Sequence, residues 1–135
     1  MSSLENKQVI NRFMDEVLNA KNLDAMEEIV AEDFIERIPF PGQGPGRAGL
    51  RDAVTGLVSA FPDMNWTVDE QVAEGDTVVT RFTLTGTNSG DFMGMPATGK
   101  AINVWGVVID VVREGLFAES RMLLDMPALM GQLSA

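Results

Sequence analysis

The run Glu114-Gly115-Leu116-Phe117-Ala118-Glu119-Ser120-Arg121-Met122-Leu123-Leu124-Asp125-Met126-Pro127-Ala128-Leu129-Met130-Gly131-Gln132-Leu133 holds the change of pattern on which the fold turns. A polar turn opens an apolar strand, the strand delivers one carboxylate, and Pro127 stands in the first turn of a short helix. Asp125 therefore marks the junction of strand and helix. An acidic side chain there either caps the helix by accepting backbone N–H bonds or, where the helix dips beneath it, points into the cavity that the sheet encloses. Strict pleating turns Met122 and Leu124 toward a pocket, so Asp125 has to gain an inward aim from the strand end.

Upstream, Ser2-x-x-Glu5 reads as a capping box. Val9, Ile10, Phe13, Met14, Val17 and Leu18 then recur at three- and four-residue steps, giving an amphipathic helix of about sixteen residues. A shorter helix is expected after Asn22, turning Ala25, Met26, Ile29 and Val30 inward. Pro39 to Gly46 is a loop, and Leu50, Val54, Leu57, Val58 and Phe61 mark a third helix stopped by Pro62. After Pro62 the period becomes two. Trp66, Val68 and Val72 alternate with Thr67, Asp69 and Gln71, and Glu74-Gly75-Asp76 makes a hairpin turn. Val78, Phe82 and Leu84 face one way, against Thr77, Arg81, Thr83, Thr85 and Thr87 on the other. From Ile102 to Val112 nearly every residue is apolar, which predicts a central strand with a protein layer on both faces. Three helices cover only the concave face. The convex face, with Trp105 and a threonine row, is accordingly expected to join two copies as a homodimer.

Asp33-Phe34 with Pro39-Phe40-Pro41-Gly42-Gln43-Gly44-Pro45-Gly46-Arg47, then Phe61-Pro62-Asp63, Glu74-Gly75-Asp76-Thr77-Val78-Val79 and the run from Gly86 to Lys100 stand in a definite order. Together with the C-terminal run, this set resembles the SnoaL-like polyketide cyclase and ester cyclase families over nearly the whole chain. The resemblance implies one domain of the nuclear-transport-factor-2-like cone fold, class α+β: a curved mixed sheet wrapped around three N-terminal helices, with a central pocket and a short C-terminal helix. It also implies Asp125 as the general acid/base, and it aligns Glu36 with a pocket position. Where relatives carry histidines, this chain has Asn88 in place of the last residue of Gly-Thr-His, Arg37-Ile38 in place of His-Asp, and Val108 on the central strand. The Asp-Arg-Asp set of the limonene epoxide hydrolases aligns with Phe82, Leu84 and Met122, which argues against epoxide hydrolysis.

Composition bounds the function independently. The chain has 135 residues, enough for one domain with a real core, and a formal net charge of −10 from 20 acidic and 10 basic residues. The basic residues are scattered singly, so nucleic acid and anionic membrane are poor partners and a small apolar organic ligand fits better. Cysteine and histidine are absent. Disulfides, thiolate nucleophiles and Ser-His-Asp triads are thereby excluded, and no metal or other cofactor is expected. The N-terminal residues lack the basic and apolar regions of a signal peptide, which predicts a cytoplasmic protein.

Tyrosine is absent as well, so proton transfer falls to Asp, Glu or Lys. A carboxylate whose pKa is raised by burial can deprotonate an activated carbon and return the proton to oxygen or carbon. The expected activity is a cofactor-independent cyclase or isomerase acting on an apolar, polyketide-like carbonyl compound, with Asp125 as base and then acid. Glu36, Trp66, Phe82, Asn88, Val108 and Arg121 are the substrate-binding candidates. A non-catalytic ligand-binding domain on the same scaffold is the alternative.

Overall fold

The computed structural model describes residues 2–134. The capping box forms: Ser2 Oγ accepts the Glu5 N–H and Glu5 Oε1 accepts the Ser2 N–H, each at 3.1 Å. Helix α1 (Ser3–Arg12) then runs without a break into a wider π-helical segment, Phe13–Asn19. The first helix is thus as long as its periodicity predicts, but its last turns are wound differently. The second is shorter than expected: a 3₁₀ turn at Leu23–Ala25 leads into α2 (Met26–Ile29). Val30, expected at its end, instead opens strand β1 (Val30–Glu36). That strand has no clean alternation because its register slips between Val30 and Ile35, which hides it from a period-two reading.

Helix α3 (Gly46–Ala60) ends just before Pro62, as a residue without an N–H requires. Strands β2 (Asn65–Glu74), β3 (Thr77–Thr87), β4 (Ala101–Arg113) and β5 (Leu116–Leu124) and helix α4 (Met126–Ser134) complete the chain. The five strands form one sheet in the order β1-β5-β4-β3-β2, with β1 parallel to β5 and every other pair antiparallel. The result is a curved, open, mixed sheet wrapped on its helices, the α+β cone architecture.

Parity along the strands decides which side chains reach the inside. On β4, Ile102, Val104, Gly106, Val108, Asp110 and Val112 are all buried, whereas Trp105 stays 50% exposed. The two-sided burial expected of this strand is therefore met on one face only within the chain. On β2 the pairing passes from Val68 opposite Phe82 to Glu70 opposite Arg81, so Asp69 is an extra residue. This bulge flips every later side chain. Val72, expected inside, is 64% exposed, and Gln71 turns inward to donate to Thr80 Oγ1 at 3.1 Å.

Within the core, the ring of Phe117 meets Phe13 and Phe34 edge-on with centroids 5.0 Å away in each case. Such contacts add about 0.5–1.5 kcal/mol per pair beyond their area. They tie the π-helical segment, β1 and β5 together.

Candidate active site

The concave face and the helices enclose a cavity of about 70 Å³. Its wall is apolar except at a few points. Phe13, Met14, Phe34, Leu50, Val54 and Phe117 contribute from the helices and the sheet, and Trp66, Phe82, Val108 and Met122 from the strands. Among the described residues, Glu36 and Asp110 are the only ionisable side chains on it. It adjoins a wider recess of about 390 Å³, with which it shares Phe40, Gln43, Ala53 and Leu57.

Strand register brings the two carboxyls together. Glu36 on β1 pairs with Ser120 on β5, and Ser120 pairs with Asp110 on β4. The three side chains line one cavity from a single rung, and with strands about 4.8 Å apart the outer two Cα atoms are ~10 Å from each other. Asp110 is almost wholly buried, and its Oδ1 has no hydrogen-bond partner among the described residues. Burial pushes its carboxyl well above the ordinary carboxylate range; the Ser120 hydroxyl acts in the opposite direction and the negative charge of Glu36 adds to the rise. Burial likewise raises Glu36 to about 7, against the backbone N–H groups of Ile38 and Arg37. The Ile38 N–H reaches Glu36 Oε2 at 3.2 Å. Two carboxyls that face one largely apolar cavity, both pushed up by burial, can serve as an acid and a base, titrating as a coupled pair.

Asp125, in contrast, is the N-cap of α4. Its Oδ1 accepts the Ala128 N–H at 3.1 Å and its carbonyl accepts the Leu129 N–H at 3.0 Å. It does not line the cavity. Pleat parity prevails over the helix junction: Met122 faces the cavity, and the carboxylate beyond the strand end caps the helix.

The other expected site residues divide by the same geometry. Glu36, Trp66, Phe82 and Val108 line the cavity, while Asn88 and Arg121 do not. Asn88 is buried in a loop that it organises, donating to Gly90 O at 2.8 Å and accepting from Thr98 N at 2.9 Å and Thr98 Oγ1 at 3.0 Å. Arg121 is exposed, opposite Ile109 on the convex side. Glu119 pairs with Arg37 at 3.0 Å and Arg113 at 3.3 Å, not with Arg121. Asp110 and Ser120 escape the sequence reading, although a signal exists. Asp110 is the one charged residue between Ile102 and Val112, and it shares parity with Ile102, Val104 and Val108.

The profile of the SnoaL-like polyketide cyclases matches residues 8–133, nearly the entire chain. The chain belongs to the SnoaL-like polyketide cyclase family. Among solved structures it is similar to TsrD from Streptomyces laurentii, at 27% identity and a TM-score of 0.90 over 100% of this chain and 98% of that one. IdmH from Streptomyces antibioticus is 30% identical with a TM-score of 0.82, over 96% of this SnoaL-like chain and 99% of IdmH. A SnoaL-like protein from Jannaschia sp. CCS1 is 26% identical with a TM-score of 0.87, covering 98% and 94% of the two chains. No curated protein matches at a significant level. Among the described residues of this SnoaL-like chain, no helix is long and apolar enough to cross a membrane, and no cluster of three potential ligands is placed to hold a metal ion.

Proposed function

We propose that this chain is a small cofactor-independent acid/base enzyme, a cyclase or isomerase acting on an apolar, polyketide-like carbonyl compound. The observation that carries the reading is the Glu36–Ser120–Asp110 rung inside an otherwise apolar cavity. Family membership supports it at the coarser level of a cyclase-like enzyme. Glu36, with a pKa of about 7, takes a proton from a carbon made acidic by a neighbouring carbonyl. The carbanion forms a new carbon–carbon bond at a second carbonyl, and neutral Asp110 gives its proton to the oxygen that would otherwise become an alkoxide. Proton return from Glu36 to Asp110, directly or through solvent, resets the pair. The acid/base role assigned to Asp125 by resemblance passes in this reading to the two cavity carboxyls.

The test is proton abstraction itself, followed by NMR as deuterium wash-in at the α-carbon of 1-indanone, a compact ring ketone. The rate is expected to rise as pH passes through about 7, where Glu36 ionises, and Glu36→Gln is expected to remove that rise. A rate that is indistinguishable from buffer, or a profile unchanged by Glu36→Gln, would leave only the ligand-binding alternative.

Two copies are further proposed to associate through the convex face. Trp105, Val72 and Leu123 are 50%, 64% and 64% exposed there, and Ile109 lies on the same side of β4. Arg81, on that face too, is already engaged by Glu70 at 3.0 Å, so its charge is partly neutralised. Sedimentation should show a dimer at micromolar concentration and a monomer for Trp105→Asp. A monomeric wild type would remove the proposal.

A further inference from the structure

One more polar group belongs to a residue of the cavity wall. Trp66 is 4% exposed, and its indole Nε1 has no hydrogen-bond partner among the described residues. An indole N–H is only a donor, and leaving it unmatched when buried is costly enough that native structures rarely do so. Nor is the ring loosely held. The Asn19 side chain, at the end of the π-helical segment, clamps the Trp66 backbone from both sides, accepting its N–H at 2.7 Å and donating to its carbonyl at 2.8 Å. The indole also packs on Phe82 with ring centroids 5.0 Å apart. A π-helical irregularity that ends in a clamp on a cavity-lining side chain is the kind of local departure that recurs at functional sites.

The donor is set well apart from the carboxyl pair. Trp66 pairs with Leu84, and Leu84 with Val104, six residues along β4 from Asp110. Between them the floor is Phe82 and Val108, without a polar group. We propose that the ligand of this cavity carries two polar ends: a reacting carbonyl at the carboxyl pair and a second, non-reacting oxygen acceptor that takes the Trp66 N–H across an apolar middle. Trp66 is then a positioning and specificity residue. It selects substrates with an acceptor at that distance over their deoxygenated analogues. The assignment of the reacting end rests on the acid/base reading above; the acceptor site at Trp66 does not.

Binding of 1-indanone and 5-methoxy-1-indanone, which share the reacting carbonyl and differ in a second oxygen acceptor, tests the acceptor site. The chain has two tryptophans, so Trp105→Phe assigns the Trp66 indole resonance in a ¹H–¹⁵N spectrum. That resonance is expected to move downfield with 5-methoxy-1-indanone and not with 1-indanone. Wild type should bind the methoxy ketone more tightly by about 2- to 12-fold, the gain of one net hydrogen bond, and Trp66→Phe should bring the ratio to about one. An unchanged ratio in Trp66→Phe, or an indole resonance that neither probe moves, overturns the proposal. Loss of wash-in with the ratio intact defeats the acid/base reading alone; intact wash-in with an unchanged ratio defeats the Trp66 assignment alone.

Discussion

Asp110→Asn is expected to lower α-carbon deuterium wash-in by about 10²–10⁴-fold, the contribution of a positioned general acid or base. The substitution keeps size and removes only the titratable proton. Its effect on stability should run the other way. A carboxyl that is harder to ionise when folded binds more protons in the native state, so it makes stability fall as pH climbs from its ordinary value of 3.8 through the raised one. Asn carries no such penalty. Urea unfolding at pH 5 and at pH 8.5 should therefore show the variant gaining on wild type as pH rises, and comparison of the two proteins cancels the exposed carboxylates that titrate in both. Asp125 supplies the control. Asn caps helices about as well as Asp, so Asp125→Asn should leave both wash-in and stability unchanged, whereas Asp125→Ala costs about 1 kcal/mol. Loss of wash-in in Asp125→Asn together with full activity in Asp110→Asn would return the acid/base role to the helix cap.

The contrast between these two aspartates shows what the sequence can reveal. Helix α1, helix α3 and the hairpin strands follow from spacing and caps, because those signals are local and each residue reports its own face. Family order supplied the cone architecture. Two features of the chain defeat such reading. The Asp69 bulge and the slipped register of β1 break period two, so Val72 and Gln71 exchange faces and β1 goes unseen. The Glu36–Ser120–Asp110 rung joins residues far apart in the chain through a parallel and an antiparallel pairing, which no local window contains. Asp110 was nevertheless marked in the sequence by its charge within a buried run, while Asp125 drew attention through a motif position that its own parity contradicts.

The largest expected loss of stability is at Phe82, where truncation to alanine should cost about 3–5 kcal/mol. The side chain is fully buried on the concave face of β3, with its ring against Trp66. Directly beneath it, on β4, lies Gly106, paired with Phe82 across the strands. A Cβ on Gly106 would come within 2.6 Å of Phe82 Cζ and 2.5 Å of the Leu123 carbonyl oxygen. Glycine is required there because an aromatic ring and a neighbouring backbone already occupy the space of a methyl group. Gly106→Ala alone should cost about 1–3 kcal/mol through overpacking. The two sites are in contact, so their effects should not add. Removing the ring relieves one of the two clashes at residue 106, and the double variant Phe82→Ala/Gly106→Ala should be less destabilised than the sum of the singles, with the Leu123 clash remaining. Denaturant unfolding of the four proteins measures the coupling. Strict additivity would mean that the glycine answers to the backbone alone, and that the Phe82 ring, and with it the indole that rests on it, is free to shift within the cavity.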